Sequence, residues 1–79
     1  MDAVTLVTRL LDELVEFPDE IVVTADEDPQ GLRVSVSVSP DDIGKVIGRQ
    51  GRTIQAVRTV VRSAASRTGL HVSLELLED

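Results

Sequence analysis

The chain has no cysteine, tryptophan or tyrosine, one phenylalanine (Phe17) and one histidine (His71) among its 79 residues. Without cysteine there is neither a disulfide nor a thiolate metal site. His71 opens a strand-like segment with no second ligand beside it, so no metal or catalytic role is expected of it. With no tryptophan or tyrosine, and Phe17 alone and distant in sequence from the other candidate residues, the stacking platforms on which single-stranded bases commonly lie are not expected. No apolar run approaches the length of a membrane span and no secretory leader is legible, which implies a cytoplasmic protein with no membrane partner. Neither a Ser/His/Asp set nor paired carboxylates in a predicted cleft are present, and the G-x-x-x-x-G-K-[ST] order of a nucleotide loop is missing. The chain is therefore read as no enzyme, with no cofactor and no small-molecule substrate. Asp26-Glu27-Asp28 lacks the spacing and trailing glutamate of a calcium loop and reads as a solvated turn.

One further absence organises the rest. Between Ile43 and Leu70 there is no acidic residue, while Lys45, Arg49, Arg52, Arg58, Arg62 and Arg67 are all basic. The remainder holds only Arg9 and Arg33 as cations and all 14 carboxylates, so a net charge of −6 conceals a segment of +6 and a remainder of −12. An acidic chain would ordinarily argue against a polyanionic partner; segregation of the charge restores that possibility.

What is abundant is aliphatic. Val4, Leu6, Val7, Leu10, Leu11, Leu14 and Val15 recur at spacings of three and four, which predicts a helix over 2–16 with Asp2 favouring its N-terminal dipole. Pro18 ends it. Ile21–Thr24 reads as a short strand, and Asp26–Gly31 as a turn. Leu32-Arg33-Val34-Ser35-Val36-Ser37-Val38 alternates without error and predicts a half-buried strand, hairpinned to the one before. Ser39-Pro40-Asp41-Asp42 marks a helix start: Ser39 suits the N-cap, Pro40 the first turn and Asp42 the reciprocal capping position. A short helix follows with Ile43, Val46 and Ile47 inward. After it comes a longer helix from about Arg52 to Arg67, with Ile54, Val57, Val61, Ala64 and Ala65 inward, closed by Thr68-Gly69. His71–Leu76 alternates again as a last strand. The order α-β-β-α-α-β implies one domain over 1–79, an α+β sandwich whose long and last strands lie parallel. A chain this short is near the lower limit for folding alone, and dimerisation would be a natural supplement.

The most informative stretch is Val46-Ile47-Gly48-Arg49-Gln50-Gly51-Arg52-Thr53-Ile54. Two glycines bracket an arginine and a glutamine between two helical patterns. A turn of this kind places backbone N–H groups and the positive end of a helix dipole together, which suits a phosphate.

Ile43-Gly44-Lys45-Val46-Ile47-Gly48-Arg49-Gln50-Gly51-Arg52-Thr53-Ile54 resembles the I-G-x-x-I-G-x-x-G-x-x-I pattern of KH domains. The whole chain is similar to the small stand-alone bacterial KH proteins of the KhpA type. The resemblance implies a type II KH fold, α-β-β-α-α-β, with a three-stranded mixed sheet packed on three helices. It implies single-stranded RNA as partner, with DNA left open, and the G-x-x-G loop clamping about four nucleotides through their backbone. On that reading Gly48 and Gly51 admit the sugar-phosphate chain, and Arg49 and Gln50 reach its oxygens. Lys45 and Arg52 flank the loop, and Arg58 extends the track. Ile43, Ile47, Ile54 and Val36 floor an aliphatic groove. The family's variable loop shrinks here to Ser66–Leu70, which offers few contacts. The outer face of the long helix, Ala56, Val60 and Ser63, is small and partly apolar. It suits a homodimer or a heterodimer with a second KH-containing protein. The resemblance implies an RNA chaperone or post-transcriptional regulator; the alternative is a protein-docking module in which RNA contact is secondary.

Overall fold

The computed structural model describes residues 2–67, 69 and 71–78. The opening apolar periodicity becomes helix α1 (Ala3–Asp12), capped by the Asp2 carboxylate, which accepts the Thr5 N–H at 2.7 Å. The helix is shorter than its pattern. Beyond Glu13 the N–H groups of Leu14 and Val15 both turn to the Leu11 carbonyl, at 2.8 and 3.1 Å. Leu14 and Val15 nevertheless remain packed against the core, which is why the apolar spacing runs past the helix end. A 3₁₀ turn, Pro18–Glu20, leads to strand β1 (Val22–Asp28).

β1 is longer than expected and contains Asp26, Glu27 and Asp28, which the sequence suggested were turn. Asp26 pairs with Arg33 and Glu27 with Leu32 of strand β2 (Gly31–Ser37), antiparallel. Acidic residues have low strand propensity, but β1 is the sheet's edge, where charged side chains are tolerated and discourage pairing with other chains. The reversal itself needs only Pro29 and Gln30, since Asp28 Oδ1 accepts the N–H groups of Gln30 and Gly31 at 2.8 and 2.9 Å.

Beyond β2, Ser39 Oγ accepts the Asp41 N–H at 3.3 Å and starts a 3₁₀ turn, Pro40–Asp42. Helix α2 (Ile43–Ile47), a third 3₁₀ turn (Arg49–Gly51), helix α3 (Arg52–Ser66) and strand β3 (Val72–Leu76) follow. β3 lies parallel to β2, Val34 beside Leu74 and Val36 beside Leu76, giving the sheet order β1-β2-β3. The α+β architecture, its element order and its mixed three-stranded sheet are those expected. Gly69, at φ +78°, donates its N–H to the Ser66 carbonyl at 3.2 Å. Thr68 and Leu70, which belonged to the expected helix closure and variable loop, lie outside the described residues.

The core lies between sheet and helices. Val7 and Leu11 from α1, Val46 from α2 and Val57 and Val61 from α3 meet Val34 and Val36 from β2 and Val72 and Leu74 from β3. Ala64, expected inward, is exposed, and Ala65 is the half-buried member of the pair. At 100° per residue Ala65 falls within about 20° of Ile54 around the helix axis, whereas Ala64 is about 80° away. Among the described residues no helix is long and apolar enough to cross a membrane.

Candidate nucleic-acid interface

The Gly48–Gly51 loop joins α2 to α3 through three residues of positive φ: Gly48 at 76°, Gln50 at 58° and Gly51 at 75°. The two glycines answer different needs. A Cβ on Gly48 would lie 2.2 Å from Thr53 Oγ1 and 2.9 Å from the Thr53 nitrogen, so the loop folds directly onto the first turn of α3. Gly51 has nothing within 4 Å of such an atom, and only its backbone conformation calls for glycine. Among the described residues Gln50 is the one non-glycine at positive φ, an uncommon conformation that costs roughly 1–2 kcal/mol. Strain of this sort collects where a tip is held in shape for a ligand. The Arg52 guanidinium donates to Gln50 Oε1 at 3.4 Å.

Two amides at the start of the second helix are engaged within the turn rather than free. The Gly51 N–H reaches the Gly48 carbonyl at 3.1 Å, and the Arg52 N–H reaches the Arg49 carbonyl. The electrostatics remain favourable to an anion. Glycine at the N-cap of α3 supplies no side-chain cap, and the first turn carries no acidic residue. The positive end of a 15-residue helix therefore faces the loop without a local carboxylate to offset it.

The expected cations separate into two groups. Arg49 and Arg52 are exposed at the loop, and among the described residues neither meets a carboxylate. Lys45 is instead ion-paired with Glu16 and lies 4.0 Å from Asp42 Oδ1. Arg58 is half-buried and donates Nε–H to the Leu74 carbonyl at 3.2 Å, tying α3 to β3. The expected groove floor also narrows. Val36 and Ile54 are only 1% and 6% exposed and belong to the core, because one sits on the central strand and the other on the inner side of α3. Ile43 and Ile47, on the short helix that leads into the loop, are half-buried and so keep part of their apolar surface exposed.

Sequence reasoning missed Asp42. It was expected to cap α2 reciprocally with Ser39. Its carboxylate is fully buried and accepts the N–H groups of Glu16 and Phe17, each at 3.0 Å. Nothing in a Ser-Pro-Asp-Asp run points to partners some 25 residues earlier; an acidic residue there reads as a local cap. On the other side of α3, Ala56, Val60 and Ser63 are exposed as expected. Leu10, Leu14, Ala56, Val57 and Val60 line an apolar groove of about 260 Å³ between α1 and α3.

Residues 4–76 match the family model for the KH domain of KhpA and KhpB. The chain is 43% identical over 74 residues to the RNA-binding protein KhpA of Halalkalibacterium halodurans, covering 94% of this chain and 97% of that protein. It is 37% identical over 73 residues to the RNA-binding protein KhpA of Listeria monocytogenes, covering 92% and 96% respectively. Among solved structures it superposes on a variant of Aquifex aeolicus Era bound to GDP and AlF4− with a TM-score of 0.67. That likeness covers 94% of this chain but 29% of Era, at 23% identity, so it concerns the fold alone.

Proposed function

The chain belongs to the KhpA/KhpB KH-domain family, and from that membership we propose that it binds single-stranded RNA through the loop between α2 and α3. The family is one of RNA-binding proteins and not of enzymes. The observation that carries the reading is the loop itself. Gly48 lies against Thr53, Gln50 and Gly51 are held at positive φ, and Arg49 and Arg52 stand exposed beside the N-terminus of α3, with no carboxylate paired to them among the described residues. A strand laid across this corner meets cations and a helix dipole with its phosphates, while its bases turn to the half-buried Ile43 and Ile47. With Phe17 as the single phenylalanine and no tryptophan or tyrosine, base contact rests mainly on apolar packing and hydrogen bonding, which gives weak selectivity over several transcripts. An RNA chaperone or post-transcriptional regulator in the cytoplasm, acting as one KH domain, fits that behaviour.

The second reading is a docking module for a second copy or another KH-containing protein. The groove between α1 and α3, with Val60 45% exposed at its margin, favours such a face. Arg49→Asp combined with Gln50→Asp separates the two. RNA binding is expected to be lost while folding and association persist, with the amide resonances of Gly48 to Arg52 shifting on titration of an unstructured RNA into the unaltered protein only. Amide resonances that stay still in the unaltered protein would end the RNA reading.

A further inference from the structure

Resting on the RNA-binding reading above, we infer that Glu16 restrains the affinity of the loop by withholding Lys45 from the phosphate track, and that Asp42 is the positioning residue that sets this restraint in place. Asp42 is fully buried and both of its oxygens are committed: Oδ1 accepts the Glu16 N–H and Oδ2 the Phe17 N–H, each at 3.0 Å. Two charge-assisted bonds to consecutive amides fix where the chain leaving α1 passes the start of α2. The Glu16 side chain is thereby carried to Lys45, which stands one helical turn beyond Asp42 and meets Glu16 Oε1. Of the three cations around the loop, Lys45, Arg49 and Arg52, only Lys45 faces carboxylates among the described residues.

The consequence is a difference in how the three respond to a polyanion. A phosphate reaching Arg49 or Arg52 displaces condensed counterions, and their release drives binding. A phosphate reaching Lys45 must first displace Glu16. The freed carboxylate, 66% exposed, then takes up a cation from solution, so Lys45 adds no net counterion release. Because the Lys45–Glu16 pair is solvent-exposed, its hold is modest and the restraint graded. Glu16 thus sets the affinity and the salt response of the site without touching the RNA.

The test is a double-mutant cycle read by titration of a short oligouridine at several salt concentrations, with unaltered protein, Glu16→Gln, Lys45→Gln and the double variant. Glu16→Gln leaves the backbone bond to Asp42 in place, so the fold is retained. It is expected to tighten binding by about threefold and to steepen the slope of log K against log salt by about 0.7, the increment of one added phosphate contact to a single strand. In the Lys45→Gln background the same change is expected to do nothing. An unchanged or weakened affinity for Glu16→Gln overturns the inference. So does an equal gain with and without Lys45, which would mark a general charge effect. If the unaltered protein binds and the Arg49→Asp/Gln50→Asp variant does not, a null result for Glu16→Gln removes this inference alone. If the unaltered protein fails to bind, the RNA reading and this inference fall together.

Discussion

Gly48 and Gly51 bracket the same loop, yet a methyl group would meet different surroundings at each. At Gly48 it would be driven into Thr53 at 2.2 Å, in a backbone conformation already unfavourable for other residues. Gly48→Ala is expected to cost roughly 1–3 kcal/mol of stability and to displace the loop. Gly51→Ala meets open space and is expected to cost only about 1–2 kcal/mol, with the loop kept in place. Urea denaturation of both variants, with the Thr53 amide resonance as local reporter, checks the order. Asp42 is the other residue on which geometry depends. An asparagine there keeps one acceptor but opposes its amide N–H groups to a backbone donor, so Asp42→Asn is expected to lose about 1–3 kcal/mol, readable as a lower urea midpoint.

Among the helices, α2 is the least able to hold itself. Five residues are far below the length of a stable isolated helix, and its position depends on buried Val46 and on the bonds that Asp42 accepts from the Glu16 and Phe17 N–H groups. The site's geometry is therefore a property of α2 docked on α1, α3 and the sheet. Helix α1 shows a separate dependence on pH at its N-terminus. The Thr5 backbone N–H, then the Thr5 side chain, hold the Asp2 carboxyl below its usual value of 3.8. A depressed folded-state value means that the cap's contribution is complete above pH 3.8 and is lost as pH falls through the lower folded value. The Thr5 amide resonance is expected to move in that acid window, and in Asp2→Ala that movement is expected to vanish. On α3 the exposed Val60 borders the groove with α1. Val60→Asp is expected to leave stability within about 0.5 kcal/mol while shifting any self-association towards monomer, a change that sedimentation reads directly.

Across the whole molecule, charge is divided between a cationic helix-loop-helix segment and an acidic remainder. Affinity for RNA is accordingly expected to fall with added salt, and single-stranded RNA to outcompete duplex of equal length, because unpaired bases alone can reach Ile43 and Ile47. Competition titrations at two salt concentrations check both statements. A flat salt response would leave the exposed Arg49 and Arg52 without a role in binding.

Element order, strand pairing and the identity of the loop were all legible in the linear chain, because each rests on local chemistry: alternation in Leu32–Val38, apolar spacing in Arg52–Arg67, glycines at 48 and 51. What escaped it was long-range. β1 continues through three acidic residues since it pairs with β2 at an edge, Asp42 accepts the amides of Glu16 and Phe17 in the segment after α1, and Lys45 meets Glu16 there. Local pattern decides which backbone conformation a segment prefers. Only the packed tertiary structure decides which charged groups end as neighbours, and hence which cations around the loop are left without a carboxylate beside them among the described residues.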